Sequence, residues 1–138
     1  MAGLERFVEA QRSIYEQALG ELRAGAKRSH WMWFVFPQVA GLGHSPTARL
    51  YALRDAVEAR AYLVHPVLGP RLRECTEAML RWAGLKNAEA ILGPVDAMKF
   101  ASSMTLFDAT SDTPDNPFAR ALAAFNGGER DPLTLERL

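Results

Sequence analysis

The chain has 138 residues, 49% of them hydrophobic and 23% charged, which gives enough apolar material for one core and fits a single domain over residues 1–138. No disulfide or metal is needed to staple a core of that size. Sixteen basic and sixteen acidic side chains cancel to zero net charge, which argues against a broad nucleic-acid surface or a grip on an acidic membrane.

Alanine and leucine, at 22 and 17 copies, far outnumber valine and isoleucine, at 7 and 2. The first pair leads in helices and the second in strands, so an all-α fold is expected. Its form is a compact bundle of about six to eight short and medium helices. Leu4, Phe7, Val8, Gln11, Tyr15, Ala18, Leu19 and Leu22 recur at helical spacing and predict one helix over 4–24, closed by Gly25. Ser45-Pro46, Asn116-Pro117 and Asp131-Pro132 each put a capping side chain before a proline suited to the first helical position. Asp55 with Glu58 has the form of a capping box. His65-Pro66 and Gly93-Pro94 are weaker start signals. Further helices are therefore expected near 46–53, 55–64, 66–83, 87–92, 94–109, 117–126 and 132–137. Stretches 37–45 and 110–116 have the glycine-rich and polar composition of loops.

The segment Arg28-Ser29-His30-Trp31-Met32-Trp33-Phe34-Val35-Phe36-Pro37-Gln38 stands apart. Its apolar run, 31–36, fits a buried core helix or strand. Its polar edge fits a site. Arg28 can clamp an anion with two parallel bonds, His30 can move a proton, and Trp31 or Trp33 can stack on a ring. Ser29 and Gln38 flank the run. A second cluster lies at 93–107, where Asp96 and Lys99 share a helical face and Ser102 and Ser103 follow one turn later. That pair reads equally as a solvated ion pair. Whether the 28–38 and 96–107 segments form one pocket is not decided by spacing.

Other features are structural. His65 suits a helix cap, and Cys75 lies on one stripe with Leu68, Leu72 and Met79 as an inert buried thiol. Three scattered histidines and one cysteine have no metal-ligand spacing, and no phosphate loop, dinucleotide fingerprint or nucleophile elbow occurs, so no metal or cofactor is expected. The start, from Met1 to Arg6, has no leader pattern, and the longest apolar run is too short to span a bilayer, so a cytoplasmic, membrane-free protein is expected.

Phe7–Gln11, Ser29–Gln38, Gly41-Leu42-Gly43, Tyr62–Gly69 and Ser102-Ser103-Met104-Thr105-Leu106-Phe107 together resemble the bacterial family known as domain of unknown function 1810. The resemblance runs from about Leu4 to Leu138 and implies a small all-α domain with no assigned activity. Some members carry the label calpastatin, a disordered inhibitor that an apolar, well-capped chain does not resemble. The order of elements is also similar to the YbiA-like group, which implies an N-glycosidic or ADP-ribose-related substrate. On that likeness the chain is a hydrolase of such a bond; no motif of that group matches, so its catalytic residues are not carried over and the roles rest on side-chain chemistry. His30 would be the proton donor, and Glu9 or Asp96 the carboxylate that stabilises the transition state or positions water. Arg28, Ser29, Trp31, Trp33, Gln38, Lys99, Ser102 and Ser103 would bind substrate. The alternatives are a non-catalytic module for an anionic or aromatic small molecule, and a protein-interaction domain that presents segment 30–36.

Overall fold

A computed structural model describes residues 3–138; Met1 and Ala2, at the start of the segment read for a leader, lie outside the described residues. It contains ten helices among the described residues and no β-strand. They are α1 (Glu5–Gln11), α2 (Tyr15–Ala24), α3 (Met32–Val35), α4 (Pro46–Leu50), α5 (Ala56–Val64), α6 (Leu68–Leu80), α7 (Ala88–Leu92), α8 (Pro94–Thr110), α9 (Pro117–Phe125) and α10 (Pro132–Leu135). The all-α expectation holds, with ten helices where about six to eight were expected.

Two local events raise the number. The helix expected over 4–24 breaks at Arg12-Ser13-Ile14, where Arg12 N–H donates to Glu9 O and Ile14 N–H to Gln11 O in tight turns. Serine and β-branched isoleucine are weak helix formers and yield there. The apolar segment contributes the four-residue α3, closed by Phe36 N–H donating to Met32 O.

Most ends follow the capping chemistry. Ser45, Asn116 and Asp131 each accept a bond from a backbone N–H at their helix start. Asp55 accepts from Glu58 N–H at 3.0 Å. The Glu58 carboxylate turns instead to Arg54 N–H at 2.9 Å and to Arg6 at 3.3 Å. His65 ends α5, and its Nδ1 accepts from Val67 and Leu68 N–H ahead of α6. Gly25 closes α2 at φ 71°. Helix α4 stops earlier than expected because residues 51–53 leave it for another partner. Leu53 N–H donates to Gln38 O at 2.9 Å and Ala40 N–H to Leu53 O at 2.7 Å, a parallel pairing that ties the 38–43 loop to the chain after α4.

Helix α8 is the central element, packed against α5, α7, α9 and α10. Phe100, Ser103, Met104, Thr105, Leu106 and Phe107 are all buried on it. One aromatic row runs Phe7–Tyr62–Phe107–Phe118, with centroids 5.2, 5.4 and 5.6 Å apart. A second runs Trp31–Phe36–Phe100–Phe125, at 6.3, 5.0 and 6.0 Å. Edge-on and tilted rings of this kind suit aromatic packing. The second row carries the 28–38 segment across α8 to α9. No helix among the described residues is long and apolar enough to cross a membrane.

Candidate functional site

The polar entry to segment 28–38 is organised by one residue, Glu21 on α2. Its Oε1 accepts Arg28 N–H at 2.8 Å, Ser29 N–H at 3.0 Å and Trp31 Nε1–H at 2.9 Å, and its Oε2 accepts Ser29 Oγ–H at 2.6 Å. Burial pushes the carboxyl upward, but the bonds from Ser29, Arg28 and Trp31 outweigh it and hold the pKa at about 2. Ser29 is thus spent on a clasp. Trp31 is fully buried, so it has no face for a ligand. Arg28 and His30 are exposed. The His30 ring stacks beside Trp33 at 6.4 Å.

A charged cluster joins this segment to α8. Lys27 Nζ lies 2.8 Å from Asp96 Oδ2, and both side chains are largely buried, at 10% and 19% exposure. Lys99 Nζ lies 3.9 Å from the other oxygen of Asp96. Lys27 also sits over the Trp31 ring at 5.2 Å, and Lys99 over the half-buried Trp33 ring at 5.4 Å. Such contacts are worth about 0.5–2 kcal/mol, depending on desolvation. The start of α8 thus meets the chain at Lys27 through an ion pair and segment 28–38 through the Trp33 ring, contacts that spacing alone left undecided. Asp96 is committed to two lysines.

The concave feature lies one step further along. A groove of about 660 Å³ opens on α8 and is lined also by the start of α7, by α9, by the segment that enters α10 and by the 38–43 loop. This is within the usual size range of small-molecule sites. Met98, Phe100, Leu122 and Phe125 supply an apolar floor and wall, and Gln38, Lys99, Ser102 and Asp131 supply polar groups. Ser102 Oγ donates to Asp131 Oδ2 at 2.9 Å, and Thr134 donates to the same oxygen through its N–H and its hydroxyl at 3.2 and 2.6 Å. The loop wall is tight. Gly41 has φ +99°, and a Cβ there would lie 2.2 Å from Arg137 Nη1, so the end of the chain lies over this glycine.

Of the residues expected to form one site, the groove takes Gln38, Lys99 and Ser102. Trp33 stands next to it, through Lys99 and through a smaller cleft that Gln38 and Gly43 also line. The others fall elsewhere. Ser103 is fully buried and its hydroxyl has no partner among the described residues. Glu9 is an exposed surface residue paired with Arg12 at 2.6 Å. Arg28, Ser29, His30, Trp31 and Asp96 lie outside the groove lining. The sequence reading missed Glu21, whose partners lie seven to ten residues ahead, and Phe125, which has no local marker. It read Asp131 as a cap alone, and Asp131 both caps α10 and faces the groove.

The reactive groups elsewhere are quiet. Cys75 is fully buried, and burial pushes its thiol up to about 12. Burial likewise raises Tyr62 and Tyr15, the latter also bonded to Glu74. No group of three metal-ligating side chains stands together among the described residues.

The model of the family described as "Protein of unknown function (DUF1810)" matches residues 1–138. The chain belongs to that family. It is also similar to a conserved hypothetical protein, Rv1873, from Mycobacterium tuberculosis, known from a crystal structure. The two are 48% identical and superpose with a TM-score of 0.93 over 98% of this chain and 95% of that one. No curated protein matches. Neither the family nor this neighbour connects the chain to the YbiA-like group, so the likeness of element order has no support here. The family assignment and the fold agree with the resemblance read from the His30–Phe36 and Ser102–Phe107 strings, and neither the family's description nor the neighbour's title names an activity.

Proposed function

We propose that this chain is a binding module for a small anionic molecule with an aromatic or apolar body, and that the groove over α8 is its site. The supporting observation is the composition of that groove: an apolar trough of Met98, Phe100, Leu122 and Phe125 with the partly buried cation Lys99 in its lining. Small-molecule sites are mostly apolar with a few placed polar groups, and this groove has that character. Lys99 keeps donors to spare, since its contact with Asp96 is a long one at 3.9 Å. Burial of Trp31, Met32, Val35 and Phe36 leaves segment 30–36 little surface, which disfavours an interaction domain built on it. The hydrolase reading has less support, because Glu9, His30 and Asp96 do not line the groove.

Titration with 3-phenylpropionate tests the proposal. Saturable binding is expected, with a rise in unfolding free energy of about 2.7 kcal/mol at one hundred times Kd. Lys99→Met and Phe125→Ala should each weaken binding while leaving the fold intact. Unchanged affinity in both variants would contradict the assignment.

A further inference from the structure

Five charged side chains line the groove: Glu89, Lys99, Glu129, Arg130 and Asp131. Glu89, Glu129 and Arg130 are exposed, and Arg130 is held by Asp108 at 2.8 Å, which leaves Lys99 and Asp131 as the two partly buried charges, of opposite sign, that set the class of ligand. Asp131 Oδ2 is saturated by Ser102 and Thr134, whereas Oδ1 accepts no bond among the described residues. Lys99 and Ser102 are three residues apart on α8 and so share a face, and Ser102 holds Asp131 through its hydroxyl. Lys99 and Asp131 make no ion pair with one another among the described residues, although both line the groove. The side-chain amide of Gln38, half-buried in the same lining, also makes no hydrogen bond among the described residues. The groove therefore offers an ammonium, a carboxylate oxygen and an amide, all with unused capacity. Met98, Leu122 and Phe125 supply apolar surface in the same lining.

Resting on the binding reading above, we infer that the groove is built for a zwitterionic head carrying an apolar side chain, the chemistry of a free amino acid such as phenylalanine. The ligand carboxylate pairs with Lys99, its ammonium donates to Asp131 Oδ1, and Gln38 bonds to whichever oxygen remains. The side chain lies on Met98 and Phe125. This also explains why Met98, in the groove lining, is left 74% exposed. A purely anionic ligand would leave the Asp131 charge facing it unpaired, which is unfavourable.

Calorimetric titration with L-phenylalanine, 3-phenylpropionate and phenethylamine separates the terms, because the last two each lack one charge. L-phenylalanine is expected to bind roughly tenfold or more tightly than either, the scale of one charge-assisted hydrogen bond. Asp131→Asn keeps a capping side chain for α10 and removes the charge. It should bring L-phenylalanine down to the affinity of 3-phenylpropionate. Lys99→Met should bring it down to that of phenethylamine. Equal binding of L-phenylalanine and 3-phenylpropionate by the unaltered protein would overturn the zwitterion inference and leave the groove reading standing. Failure of all three to bind would overturn both.

Discussion

At the scale of single residues, Glu21 shows how a structural role can look like a site. Arg28, Ser29 and Trp31 read from sequence as an anion clamp with a stacking ring. In the fold, the Glu21 carboxylate gathers their N–H and O–H donors and fixes the chain before α3. Nothing local marks this, because an acidic residue on the polar face of an amphipathic helix is ordinary. The clasp has a pH signature. The Glu21 carboxyl is depressed from 4.5 to about 2, so the unfolded chain takes up its proton first. Its contribution is complete above 4.5 and fades as pH falls through about 2. Glu21→Gln is expected to lower stability at neutral pH and to flatten the loss of stability across that acid window. Denaturant unfolding at a series of pH values measures both. A variant with the same slope of stability on pH as the parent would rule out the clasp.

At the scale of elements, the legible features were those with local chemistry. Ser45, Asp55, Asn116 and Asp131 cap the helices they precede, because a cap needs only a side-chain oxygen and the next turn. The α1–α2 break was not legible, since Gln11 and Tyr15 continue the same buried stripe through it. The pairing of Val39 with Leu53 was equally hidden, being set by contacts across the chain. The junction of α5 and α6 carries a sharp steric demand. A Cβ at Gly69 would lie 2.2 Å from the Leu63 carbonyl oxygen and 3.1 Å from its carbon, and neither is the movable end of a side chain. Gly69→Ala should therefore destabilise the protein by about 1–3 kcal/mol, although alanine is the better helix former. A thermal midpoint equal to that of the parent would show that α6 can shift at no cost.

At the scale of the whole molecule, fold class and family were legible throughout, and the site only in part. Gln38, Lys99 and Ser102 were singled out because loop and helix composition pointed to them, and they line one groove. Ser103, the neighbour of Ser102, turns into the core instead, since adjacent helical positions face different ways. The rest of the groove comes from the start of α7, α9 and the segment that enters α10, whose approach to α8 no local pattern states. The aromatic segment contributes indirectly, through the row from Trp31 to Phe125 that backs the trough. The central claim is that ligand binds in this groove and not at the polar edge of segment 28–38. Backbone amide shifts followed during titration with L-phenylalanine test it most directly. The account predicts saturable changes centred on Gln38, Lys99, Ser102, Phe125 and Asp131, with Arg28, Ser29 and His30 little moved. Changes centred on Arg28 to His30, or none at any concentration, would contradict it.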